Sequence, residues 1–239
     1  MKKINLAVVG ATGMVGRTFL KVLEERQLPI ENFYVMASAR SSGSTLKFNG
    51  KDYVVEELNE HSFDKPIDIA LFSAGGGTSE KFAPIAAAHG CIVIDNSSQW
   101  RMDPAVPLIV PEVNPEDISW HKNIIANPNC STIITVTAVN ALNTIAPIRT
   151  MTASTYQAVS GAGAGGPIEL MNEVEALREG KTYEPKGFSH QIAFNLIPQI
   201  GGEQFEGYTS EEMKMQNEGR KIMHLPELKV SCTCVRVPV

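Results

Sequence analysis

The sequence predicts an α/β protein in which a Rossmann-type parallel-sheet domain precedes an α+β domain. Three observations carry this prediction. Short apolar strands alternate with helix-like stretches through the first half, as in a parallel sheet with right-handed crossovers. A loop with glycines three apart joins the first strand to the first helix. Past about residue 127 the texture changes to half-exposed strand patterns and longer glycine loops, so the domains are placed at residues 1–127 and 128–239.

Ile4-Asn5-Leu6-Ala7-Val8-Val9 is the first strand, and it runs into Gly10-Ala11-Thr12-Gly13-Met14-Val15-Gly16 and a helix over residues 17–25. The charged start, Met1-Lys2-Lys3, could open a signal peptide, but the glycines break the apolar stretch too early, which favours a strand. Phe33-Tyr34-Val35-Met36-Ala37 is the second strand and ends at Ser38-Ala39-Arg40-Ser41. A third strand over residues 67–72 leads through Ser73-Ala74-Gly75-Gly76-Gly77 to a helix over residues 79–89, then to Cys91-Ile92-Val93-Ile94-Asp95. The short apolar run Asn123-Ile124-Ile125-Ala126 follows.

In the second half, residues 149–157 alternate like a half-exposed strand. After a glycine loop at residues 160–166, Pro167 suits the first position of a helix carrying Ile168, Met171, Val174 and Leu177 on one face and closed by Gly180. Thr209 with Glu212 forms a capping box that opens another helix. Residues 228–239 are strand-like.

Composition narrows the function. With 239 residues, 43% hydrophobic and 20% charged, the chain is globular, and a net charge of −5 argues against nucleic acid as a partner. No apolar run approaches the roughly 18 residues of a membrane span. Cys91, Cys130, Cys232 and Cys234 form no disulfide framework in a chain of this length, which points to the cytoplasm. Cys232 and Cys234 share a strand face, but no second ligand pair stands at zinc spacing, so core packing is favoured and no metal is expected.

Gly10, Gly13 and Gly16, between a strand and a helix, let the backbone turn tightly and present a helix N-terminus to a pyrophosphate. Gly10, Thr12, Gly13, Met14 and Val15 are the candidate cofactor contacts of this loop. The second strand ends without the Asp or Glu of an NAD site and offers Arg40 and Ser41 instead. A guanidinium there suits a 2′-phosphate, so the expected cofactor is NADP.

Cys130 lies between the last short apolar run and a helix-like stretch. A thiol at a helix N-terminus sits among unpaired N–H groups at the positive end of the dipole, which favours the nucleophilic thiolate. The alternative is an inert, buried structural cysteine. A nicotinamide site and a nucleophilic thiol in one chain fit one chemistry. The thiol adds to an aldehyde, hydride leaves for the cofactor, and phosphate attacks the resulting thioester, or the sequence runs in reverse.

The chain resembles the aspartate-β-semialdehyde dehydrogenase family of bacterial type. The resemblance rests on Gly10–Gly16, Ala37-Ser38-Ala39-Arg40-Ser41, Asp95-Asn96-Ser97-Ser98, Arg101-Met102-Asp103-Pro104 and Val110-Pro111-Glu112-Val113-Asn114. It continues through Asn127-Pro128-Asn129-Cys130-Ser131-Thr132, residues 155–163, Glu211-Glu212-Met213-Lys214 and Cys234-Val235-Arg236-Val237-Pro238. It implies reduction of L-aspartyl 4-phosphate to L-aspartate 4-semialdehyde and phosphate, within lysine, threonine and methionine synthesis, by a homodimer built through the second domain. Cys130 would be the acyl-thioester nucleophile and Gln157 would orient the substrate. Arg101, with Lys214 and Asn129, would bind phosphate; Glu211 would join Lys214 on one helix face, and Arg236 would clamp the substrate carboxylate. Ser160 and Gly161 would touch the cofactor.

Read from the residues alone, Gln157 is a surface amide and the Glu211–Lys214 pair an exposed salt bridge. The family's histidine acid/base would stand seven positions beyond Arg236, past Val239. The expectation is therefore a C-terminally truncated member whose catalytic and dimerisation domain is incomplete. Two other readings remain: an N-acyl-glutamyl-phosphate reductase, and a catalytically dead NADP-binding homologue.

Overall fold

The computed structural model describes residues 3–239; Met1 and Lys2, the start of the charged stretch weighed as a leader, lie outside them. The chain separates into two compact units, the first ending at Pro128 and the second spanning Asn129–Val239.

The first unit contains β1 (Ile4–Val9), α1 (Met14–Arg26), β2 (Ile30–Ala37), β3 (Thr45–Phe48), β4 (Lys51–Val54), β5 (Glu56–Glu57), β6 (Ile69–Phe72), α2 (Gly76–Ala88), β7 (Ile92–Asp95) and β8 (Ile124–Ala126). Six of these strands pair in parallel in the order β5-β2-β1-β6-β7-β8. The fold class agrees with the sequence expectation. Leu6, Ala7, Val8 and Val9 are all buried, as a central strand covered on both faces requires. The chain winds outward from β1 in one direction to β2 and then restarts on the other side at β6. That reversal opens a crevice at the carboxyl ends of β1 and β6, the usual place for a ligand in such sheets.

Two glycines are sterically required at that crevice. Gly10 has φ +81°, and a Cβ there would lie 2.3 Å from the Ser73 carbonyl oxygen. A Cβ on Gly16 would lie 2.2 Å from the Gly10 carbonyl oxygen, so only glycine lets α1 start this close to the loop.

The β3–β4 hairpin is an addition to the expected alternation of strands and helices. Its turn, Asn49-Gly50, takes positive φ at both residues, as a two-residue hairpin of this twist demands. The hairpin stacks Phe48 on Phe33 with ring centroids 4.1 Å apart.

The second unit contains α3 (Cys130–Asn143), β9 (Thr150–Ala158), α4 (Gly165–Arg178), β10 (Glu203–Phe205), β11 (Tyr208–Thr209), α5 (Ser210–Ile222) and β12 (Lys229–Val237). β9 and β12 pair in parallel from Thr150↔Lys229 to Ala158↔Val237. Met215 of α5 packs with Cys232, Cys234 and Ile200 in a common core. Thr209 and Glu212 make both bonds of the capping box at the start of α5.

The fourth helix departs from its sequence pattern. α4 starts at Gly165, so Pro167 is its third residue, and the apolar face does not turn inward: Ile168 is 61% and Met171 66% exposed. Glu169 and Glu173 are buried instead. Glu169 accepts from the backbone N–H groups of Lys186 and Gly187, at 2.8 and 2.6 Å. Glu173 Oε2 accepts from those of Ile192 and Ala193, at 2.8 and 2.7 Å. Backbone donors of an irregular segment cannot be buried without acceptors, and the two carboxylates satisfy four of them.

Candidate active site

After β8 the chain passes through Asn127 and Pro128 into α3, whose first residue is Cys130. Asn129 is the N-cap: its Oδ1 accepts from the N–H groups of Ser131 and Thr132 at 3.0 and 3.2 Å. Cys130 is the exposed cysteine of the four; Cys91, Cys232 and Cys234 are buried. Burial, with the charge of Asp68, pushes the Cys91 thiol up to about 12. The Sγ atoms of Cys232 and Cys234 lie 3.6 Å apart within the core.

Cys130 opens onto a cavity of about 450 Å³ lined also by Gln157, Ser160, Gly161 and Arg236. The strand register makes this grouping: Gln157 on β9 stands opposite Arg236 on β12. Arg236 donates from Nη1 to the Ala158 carbonyl oxygen at 2.7 Å. A Cβ on Gly161 would lie 2.5 Å from that same nitrogen, so glycine makes room for the guanidinium. Burial draws the Arg236 pKa below its ordinary value, while the negative charge of Glu211 opposes the shift.

Gln157 is no loose surface amide. Its Oε1 accepts from Thr155 Oγ1 at 2.9 Å, and its Nε2 donates to Glu211 Oε1 at 3.0 Å. These two bonds fix the amide's orientation and leave one Nε2 hydrogen for a ligand. Glu211 is a hub and not an exposed ion-pair member, at 7% exposure. Besides Gln157 it accepts from Asn129 Nδ2 at 2.9 Å and from Lys214 Nζ at 3.0 Å. Its burial would raise its pKa, but the hydrogen bonds from Asn129, Lys214 and Gln157, with the charge of Lys214, hold it below the usual 4.5. Glu218, 2% exposed on the same helix, accepts from the Asn129 backbone N–H at 2.7 Å.

The structure therefore brings Cys130, Asn129, Gln157, Glu211, Lys214 and Arg236 into one bonded or cavity-lining group, with Ser160 and Gly161 on the cavity wall. Thr155 and Glu218 belong to it and were missed. Thr155 shares the strand face of Gln157, and Glu218 lies two helical turns beyond Glu211, so periodicity carried a signal for both.

In the first unit, Gly10, Thr12, Gly13, Arg40 and Ser41 line a cavity of about 420 Å³ at the carboxyl end of β1. Thr12 Oγ1 donates to Ser41 Oγ at 3.3 Å, which ties the glycine loop to the end of β2. Met14 and Val15, the first residues of α1, lie outside that lining, and each has over a third of its surface exposed. A glycine loop, a helix N-terminus and a guanidinium stand together at this cavity and suit the phosphates of a nicotinamide dinucleotide. Arg101 is nearly buried in this unit; it donates from Nε to the Asn127 carbonyl oxygen at 3.0 Å and from Nη2 to that of Asn96 at 3.2 Å. Among the described residues no group of three or more His, Cys, Asp or Glu could hold a metal ion, and no helix is long and apolar enough to cross a membrane.

Two family models match: the semialdehyde dehydrogenase NAD binding domain over residues 5–121 and the semialdehyde dehydrogenase dimerisation domain over residues 139–239. An aspartate-semialdehyde dehydrogenase of Aquifex aeolicus is 57% identical over 98% of this chain, which spans 70% of that relative. The crystal structure of aspartate semialdehyde dehydrogenase II complexed with ASA from Vibrio cholerae superposes with a TM-score of 0.95 at 49% identity, over all of this chain and 71% of that one. A Candida albicans aspartate semialdehyde dehydrogenase with NADP superposes with a TM-score of 0.75 at 26% identity, over all of this chain and 68% of that one. The chain thus spans about 70% of the length of the curated relatives it matches.

Proposed function

The chain belongs to the aspartate-semialdehyde dehydrogenase family, and from that membership we propose that it carries the NADPH-dependent reduction of L-aspartyl 4-phosphate to L-aspartate 4-semialdehyde through Cys130. The observation that supports this most is the shared cavity of Cys130, Gln157 and Arg236. An acyl-transfer site needs a nucleophile, a donor for the developing oxyanion and an anchor for the substrate, and these three residue types supply them.

Arg236 binds the substrate carboxylate and sets the acyl carbon before Cys130. The thiolate of Cys130 attacks that carbon, the C–O bond to phosphate breaks, and a thioester remains on Sγ. The remaining Nε2 hydrogen of Gln157 faces the carbonyl oxygen as negative charge develops there. Arg101, Lys214 and the uncommitted Asn129 amide hydrogen are the proposed contacts of the departing phosphate. Glu211 acts through the Asn129, Gln157 and Lys214 groups it holds.

When bound, NADPH supplies the hydride that turns the thioester into the aldehyde and frees the thiolate. Gly10, Thr12, Gly13, Arg40 and Ser41 hold it, with Met14 and Val15 at the start of α1 and with Ser160 and Gly161 as further contacts. Arg40 in place of an acidic residue makes NADP the cofactor rather than NAD. The outward face of α4, with Ile168 and Met171, is the surface proposed for a second copy, in keeping with the dimerisation-domain match. Free thiols at all four cysteines accord with the cytoplasm.

The test is phosphate-dependent reduction of NADP by aspartate semialdehyde, with Cys130→Ala as control. Turnover that needs both phosphate and Cys130 supports the proposal. Turnover only with an N-acyl-glutamate semialdehyde would assign the related reductase instead.

A further inference from the structure

Asn129, the residue before the nucleophile, is gripped at two points by one helix. Glu211 takes its side-chain amide and Glu218 takes its backbone N–H, at 2.9 and 2.7 Å. The two carboxylates stand seven residues apart on α5, two turns along the same face. Both are nearly buried, at 7% and 2% exposure, as is Asn129 itself at 7%.

The backbone N–H of Asn129 precedes α3, so no helical carbonyl can accept from it. Pro128 before it has no N–H and stiffens the approach. Glu218 is the acceptor this donor has, and it sits where the positive end of the α3 dipole favours a carboxylate. The side-chain bonds of Asn129 set where α3 begins. The Glu218 bond sets the plane of the Pro128–Asn129 peptide, and with it the point from which the Cys130 side chain leaves the backbone.

We propose that Glu218 is a positioning residue for Cys130: it touches no ligand and acts through the Asn129 peptide to hold the nucleophile in its attacking place. The proposal rests on the reading of Cys130 as the nucleophile. It gives α5 a second task beside the Glu211–Lys214 pair, since one helix then fixes both the amide that faces the substrate and the backbone that carries the thiol.

The experiment compares Glu218→Ala, Glu218→Gln and Met215→Ala with the parent protein. Met215 is a core residue of the same helix without polar contacts, so its variant reports loss of packing alone. Glu218→Ala is expected to lower kcat per folded molecule about 10- to 100-fold, the scale of an ångström-sized misplacement, with KM for NADP unchanged. Glu218→Gln keeps an acceptor oxygen and is expected to stay within about fivefold of the parent. Amide hydrogen exchange gives an arm that needs no turnover: Glu218→Ala is expected to speed exchange at Asn129 and Cys130 while leaving α4 unchanged.

An unchanged kcat in Glu218→Ala, an equal fall in Met215→Ala at matched melting temperature, or unaltered exchange at Asn129 would each overturn the proposal. If the parent protein shows no semialdehyde turnover, the functional reading fails, and the exchange arm still decides whether Glu218 holds the peptide.

Discussion

Gln157 and Arg236 stand opposite each other in the register of β9 and β12, two parallel strands from distant parts of the second unit. That register places an oriented amide and a guanidinium on one cavity wall with Cys130. Gly161 preserves the arrangement, because a Cβ there would come within 2.5 Å of Arg236 Nη1. Gly161→Ala is therefore expected to displace the guanidinium and raise KM for aspartate semialdehyde at least about tenfold. Steady-state kinetics check this, and an unchanged KM would remove the close approach from the substrate-binding scheme.

The four thiols should separate by reactivity. Cys130 is exposed, while Cys91, Cys232 and Cys234 are buried and Cys91 is pushed up to about 12. One equivalent of iodoacetamide at neutral pH is expected to label Cys130 alone and to abolish activity in step with labelling. Peptide mass spectrometry reads the site. Prior labelling of any of the other three would contradict the burial pattern.

The local parts of this design were legible in the sequence. The apolar run of β1, the glycine turn before α1 and the Thr209–Glu212 capping box each depend on neighbours a few residues away. The Asn49-Gly50 turn is just as local, with both residues at positive φ. The carboxylate hub was not legible. Glu211, with Lys214, reads as part of an exposed pair on a polar helix, whereas the packing of α5 against β12 and α3 goes with the burial of both Glu211 and Glu218. α4 misleads for a related reason: its apolar stripe suggests a core face, but the backbone donors of residues 186–193 call Glu169 and Glu173 inward. Gln157 illustrates the limit of residue-by-residue reading, since its partners are a strand neighbour, Thr155, and a helix more than fifty residues away.

Acid sensitivity should trace to Glu211. Its carboxyl is held below the usual 4.5 because the bonds from Asn129, Lys214 and Gln157 outweigh its burial. A carboxylate depressed on folding contributes stability that is complete above its unfolded pKa and is lost as pH falls through the folded value. Below about pH 4.5 the parent protein is expected to lose stability more steeply than Glu211→Gln, which has no such proton to take up. Urea midpoints measured from pH 6 to 3 test this, and parallel curves for the two proteins would refute it.

Arg40, on the wall of the glycine-loop cavity, is the proposed partner of a cofactor 2′-phosphate. Arg40→Ala is expected to weaken NADP binding about 10- to 100-fold and to leave NAD binding nearly unchanged, since only the 2′-phosphate loses its partner. Fluorescence titration with both dinucleotides measures the ratio. Equal losses for the two would place the 2′-phosphate elsewhere.

A thioester on Cys130, as proposed, is open to direct detection. The most direct measurement is intact and peptide mass spectrometry of the protein after exposure to aspartate semialdehyde and NADP without phosphate. The expected result is an acyl adduct on Cys130 that phosphate discharges and that Cys130→Ala never forms. NADPH formation with no adduct, or an adduct on another residue that phosphate discharges, would contradict it.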